Sequence, residues 1–168
     1  GAAERSTARG GLGRRAKDAD EEERKLLLSE RATVLKENLE DAQRASIALA
    51  EIASLGVDDA LDVLARTQEE AGDYQAAIDT LSRMLESARD LATRADLLMR
   101  TSRIQVEKLE RPDLAVETLR TVMDMLPGNR FVANELRRVL IIHGNYAAVM
   151  DILEEELSHV EGSRARAE

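Results

Sequence analysis

The sequence predicts an all-α chain of about four helical hairpins, and three observations predict it. The 168 residues hold 25 Ala and 23 Leu against one Phe, two Tyr and no Trp, a composition that suits helices and starves strands. Only two Pro are present to interrupt helices. Gly56 and Gly72 recur as Gly128 and Gly144, each 72 residues on, which marks an internal repeat.

The repeat extends beyond the glycines. Laying residues 56–85 on 128–157 gives nine identities in 30 positions, where unrelated segments of ordinary composition share roughly two or three. The run from Gly72 to Ile78 has counterparts at Glu110–Val116 and Gly144–Met150, and a weaker one at Glu40–Ser46. A large aliphatic follows each time, at Leu81, Leu119, Leu153 and Leu49. Ala45, Ala77, Ala115 and Val149 are therefore spaced by 32, 38 and 34 residues. The 72-residue period is two units of about 36, and four two-helix units follow.

Taken in order, residues 1–20 read as a flexible tail. Gly1, Gly10, Gly11 and Gly13 stand among five Lys/Arg, with Leu12 the one sizeable hydrophobe, and such a segment buries too little to offset its ordering entropy. Helices are expected over 22–38, 42–54, 59–71, 74–87, 91–109, 112–126, 130–143 and 146–160 as parts of one domain at 21–160, with a short tail at 161–168. Asp58 or Asp59 and Asn129 suit the N-termini of first helices, and Asp41, Asp73 and Asn145 those of second helices. Pro112 fits a first turn, where its missing N–H has no intrahelical partner. Gly72 and Gly144 suit the left-handed residue that ends a helix.

Charge and composition exclude several function classes. The net charge is −9, so nucleic acid and anionic membranes would be repelled. No apolar run approaches the ~20 residues that span a bilayer. No Cys is present for disulfides, thiol catalysis or thiolate metal sites. The chain starts without Met and without a signal-peptide core, and reads as a piece of something longer whose compartment is the cytoplasm.

Gly72-Asp73-Tyr74, Ala77 and Leu81, with Leu61, Leu64 and Ala65 before them, resemble the tetratricopeptide repeat, whose helical hairpin has a period of 34. Ala115, Leu119 and Pro127 keep the family's spacing in the third unit. Arg137 departs from it, standing where the family has a small residue, and the first unit, with Ser29, Ala32 and Thr33, is degenerate. The resemblance covers residues 26–160 and implies a right-handed α-α superhelix, or solenoid, whose first helices line a concave groove that holds a partner peptide or helix. It places Asp59, Asp62, Arg66, Glu69 and Glu70 in that groove from the second unit. Leu97, Arg100, Ile104, Glu107 and Lys108 come from the third, and Phe131, Asn134, Arg138, Ile141 and Ile142 from the fourth.

Two readings of the arginines stand: Arg66, Arg100 and Arg138 pair with acids of a partner, or with neighbouring Glu on a solvated face. The lysine and asparagine set with which some family members grip a C-terminal carboxylate is absent but for Asn134. Residues 131–142 are apolar on more than one face, which calls for burial inside the protein, a following repeat, or a partner. The Met123, Met125, Leu126 and Met150 group reads as core filler or as an adaptable contact surface. His143 and His159 belong to no metal-binding pattern, no carboxylate pair is singled out as acid and base, and no phosphate-binding glycine loop or nucleophile turn occurs. The expectation is a non-enzymatic protein-interaction scaffold without cofactor or metal, with a protein or peptide partner. The rival readings are a regulatory or spacer segment of a longer enzyme or signalling protein, a homo-oligomer through repeat ends, and, last, an independent enzyme.

Overall fold

In the computed structural model, which describes residues 19–38, 41–56 and 59–164, the periodic segments are helices and no strand occurs among the described residues. Helix α1 covers 19–33 and widens into a π-helical turn at Val34–Asn38. It is followed by α2 (Ala42–Ser54), α3 (Asp59–Glu70), α4 (Tyr74–Ser87) and α5 (Leu91–Glu107). Helices α6 (Pro112–Met125), α7 (Arg130–Ile142) and α8 (Tyr146–Arg164) complete the described residues. The expected all-α class and helix order hold. The first helix is present from residue 19 and the last runs to Arg164, so each is longer than the 22–38 and 146–160 read from the sequence. The rest of the N-terminal tail, Asp58 and residues 165–168 lie outside the described residues.

Local chemistry accounts for the helix ends. Asp41, Asp73 and Asn145 each accept a hydrogen bond from the backbone N–H three residues on, at 3.0, 3.4 and 3.2 Å. Asn129 accepts from Phe131 and Val132. Asp90, which the sequence reading passed over, accepts from the Thr93 N–H at 2.8 Å. That bond holds the Asp90 carboxyl below the usual carboxylate range. Pro112 opens α6 as expected.

The turns closing α3 and α7 are the same motif. Asp73 N–H donates to Gln68 and Gly72 N–H to Glu69, while 72 residues on Asn145 N–H donates to Leu140 and Gly144 N–H to Ile141. These paired bonds need a left-handed residue, and Gly72 and Gly144 have φ of 78° and 77°. After α5 the same slot is filled by Glu110, at φ 53°. Its turn is closed by Arg111 N–H donating to Gln105 and Leu109 N–H to Ile104, so α5 stops at Glu107, short of the expected 109.

The chain divides into two compact units, Gly1–Thr80 and Leu81–Glu168, with the boundary inside α4. In the first, α1, α2 and α3 share a core of Leu28, Ala48, Leu49, Ile52, Ala60 and Leu64. In the second, α6 packs on α5 and on α7, and α7 on α8. Ala115 and Leu119 of α6 meet Leu136, Val139 and Leu140 of α7, with Ala148, Val149 and Ile152 of α8 against the same cluster. Val122 meets Ala95 and Val132, with Met123 and Leu126 alongside. The alanines are completely buried at Ala77 and Ala115, where a small side chain lets backbones approach.

One polar pairing recurs inside these cores. Thr80 donates to Gln68 at 2.7 Å in the first unit, and Thr118 donates to Gln105 at 2.9 Å in the second. Each bond pins the second helix of a hairpin to the first and contributes about 1 kcal/mol. The α7–α8 hairpin sets Leu140 and Ile152 at the matching register, within one hydrophobic cluster. No buried side-chain polar atom among the described residues lacks a partner.

Candidate partner-binding groove

In a hairpin array each first helix turns one face inward to its own second helix and another away from it. In the Leu81–Glu168 unit the outward faces of α5 and α7 border a shallow pocket of about 240 Å³. Its apolar surface is Met99 and Val106 from α5 with Phe131 and Val139 from α7. Val139 is buried and forms the floor, while Phe131 is 64% exposed and stands as a wall. Arg103, Glu107, Glu135 and Arg138 supply the polar rim, and Ser102, which also lines the pocket, is buried and donates its hydroxyl to the Met99 carbonyl. A drug-sized ligand or cofactor occupies roughly 300–1,000 Å³. The pocket suits one or two side chains of a polypeptide instead.

The rim carries both signs of charge. Arg138 donates through Nε and Nη2 to Glu135 Oε2, at 3.1 and 2.9 Å. Arg103 and Glu107, one turn apart on α5, form no ion pair among the described residues. The rim therefore offers a guanidinium and a carboxylate to an incoming chain beside an arginine already neutralised.

Of the residues expected in a groove, the structure brings Glu107, Phe131 and Arg138 together here. Leu97 and Ile104 are a correction: they are 8% and 3% exposed and belong to the core. The register of α5 is one residue off the expected one, so Met99, Ser102, Arg103 and Val106 face the pocket. Spacings of three and four from Met99 carry this signal, and the extra length of α5 puts it out of phase with the other first helices. Arg100 is half-buried on α5, and Lys108 caps that helix, its N–H donating to Ile104.

The remaining expected residues lie elsewhere. Arg66 pairs with Asp62 at 2.8 Å, one turn apart on α3 in the Gly1–Thr80 unit. Asn134 accepts a hydrogen bond from Arg137, whose guanidinium also pairs with Glu156 of α8. That bridge accounts for an arginine where the repeat has a small residue. Ile141 and Ile142 stay exposed at the end of α7, whereas Val132, Ala133, Leu136, Val139 and Leu140 are buried. The apolar breadth of 131–142 thus splits between core and surface. Met123 and Leu126 serve as core filler, and Met150 is exposed.

No three His, Asp or Glu side chains among the described residues are arranged to hold a metal ion. His143 is the residue after α7, and the His159 side chain lies outside the described set. No helix among the described residues is long and apolar enough to cross a membrane. No protein-family model matches the chain, and no curated protein matches it.

Proposed function

We propose that the chain is a non-enzymatic interaction scaffold of tetratricopeptide-like hairpins, stacked as a right-handed superhelix, that binds a partner peptide or helix along its first helices. The pocket between α5 and α7 carries this reading. A large apolar side chain of the partner sits against Met99, Val106 and Val139, and Phe131 closes over it. A partner carboxylate beside that side chain pairs with Arg103. The recurrence of the α3 and α7 turn bonds and of the Gln–Thr bond supports a repeated hairpin as the building unit.

The expected energetics rank the contributors. Covering the exposed part of Phe131 and one leucine-sized side chain contributes about 2–4 kcal/mol, and an exposed Arg–carboxylate pair about 0.2–1 kcal/mol. Peptides selected from a random 15-residue display library against the full chain test the proposal. Phe131→Ala should weaken the selected peptides roughly 10- to 30-fold, and Arg103→Glu several-fold, with helical content unchanged. Peptides that bind both variants as they bind the wild type would exclude the pocket.

A further inference from the structure

We infer that the outer face of α8 is a second docking surface, built to receive an amphipathic helix of a partner protein whose apolar stripe is flanked by Lys and Arg. Residues of α8 divide between two faces. Ala148, Val149 and Ile152 pack on α7. Tyr146, Met150, Leu153, Leu157 and Val160 lie on the other face and are all exposed, four of them by more than half. Their spacing of 4, 3, 4 and 3 residues is the repeat by which one helix packs along another. The stripe runs about 21 Å, enough for some 14 residues of partner helix.

The repeat itself shows what such a stripe is for. Moved back by the 34 residues that separate Ala115 from Val149, Met150, Leu153 and Leu157 fall on Val116, Leu119 and Met123 of α6, and Val160 on Leu126, the residue that caps α6. Leu119 is buried and the other three are half-buried, packed in clusters with Leu136, Val139 and Val132 of α7. The outer face of α8 is thus the counterpart of a face that elsewhere in this unit holds a helix.

Charge decides which helix. Helix α7, the one that α6 receives, carries Arg130, Arg137 and Arg138 against Glu135. The α8 stripe is bordered by Glu154 on one side and Glu156 on the other; Glu154 has no ion pair among the described residues, and Glu156 pairs with Arg137. At the register of Glu154, α6 has Arg120. A second copy of α8 laid on the first, in either direction, would set acidic borders against each other. A basic border on the incoming helix complements them.

The test uses the full chain and a synthetic 18-residue helical peptide with Leu at the stripe positions and Lys on both borders. The controls are the same peptide with Glu borders and a scrambled peptide of the same composition. Calorimetric titration should show binding of the Lys-bordered peptide at least tenfold tighter than either control. Met150→Asp and Leu157→Asp should each weaken it at least tenfold without changing the circular dichroism spectrum. Glu154→Lys should weaken it severalfold, and Ile47→Asp, on an exposed position of α2, should leave it unchanged. Equal binding of the Lys- and Glu-bordered peptides, or undiminished binding by both α8 Asp variants, would overturn the inference. So would a dimer in sedimentation that Leu157→Asp dissolves, because a second copy would then be the occupant.

Discussion

Truncating two leucines that the repeat makes equivalent separates packing from sequence pattern. Leu119 and Leu153 stand 34 residues apart at the same position of their hairpins, but Leu119 is 1% exposed and Leu153 36%. Leu119→Ala removes three carbon groups from contact with Leu136, Val139 and Leu140, a loss of about 2.4 kcal/mol at about 0.8 kcal/mol each. If about 50 Å³ of the vacated space persists, the cavity adds about 1.2 kcal/mol. The total is about 3.6 kcal/mol. Leu153→Ala opens no enclosed cavity and should cost about 1 kcal/mol. In a chain of this size 1 kcal/mol moves the melting temperature by about 2–4 °C. Thermal unfolding followed by circular dichroism should therefore show drops of roughly 7–14 °C for Leu119→Ala and 2–4 °C for Leu153→Ala. Equal drops, or a larger one at Leu153, would refute both the packing of α6 on α7 and the exposure of the α8 stripe.

Two further perturbations address the turns and the charges. Glu110→Gly should stabilise the chain by about 0.5–1 kcal/mol, because it relieves a left-handed strain of about 1–2 kcal/mol and adds an entropic cost for glycine of about 0.5–1 kcal/mol; the urea midpoint should rise, and a fall would mean that the Glu110 side chain contributes more than its backbone costs. The Arg111 guanidinium donates to both oxygens of Asp113 and lowers its pKa to about 2. A carboxyl depressed on folding stabilises above its unfolded pKa and loses that contribution as pH falls through the folded value. The wild type should therefore lose stability between about pH 4 and pH 2 more steeply than Asp113→Asn, and parallel curves would deny the ion pair a role.

The hairpin plan was legible because it rests on short-range rules. Glycine at a left-handed turn, Asp or Asn at a helix start and Pro112 at a first turn each act within a few residues, and each was readable before any packing was known. Glu110 shows the limit of such rules: repeat position, not residue type, marks it as the left-handed residue. The Gln68–Thr80 and Gln105–Thr118 bonds cross between helices and leave no local pattern. The groove was legible at Phe131 and Arg138 but on α5 only at Glu107, because one residue of phase exchanges Ile104 for Arg103 and so core for rim. Arg137 could not be placed from its own helix, since its partner Glu156 belongs to the next.

Amide and methyl NMR spectra of the full chain, titrated with a library-selected peptide, test the groove most directly. The account predicts shift changes centred on Met99, Val106, Phe131 and Val139, with Arg103 side-chain signals moving in step. Changes confined to α6, or spread evenly over the Gly1–Thr80 unit with these residues silent, would contradict it.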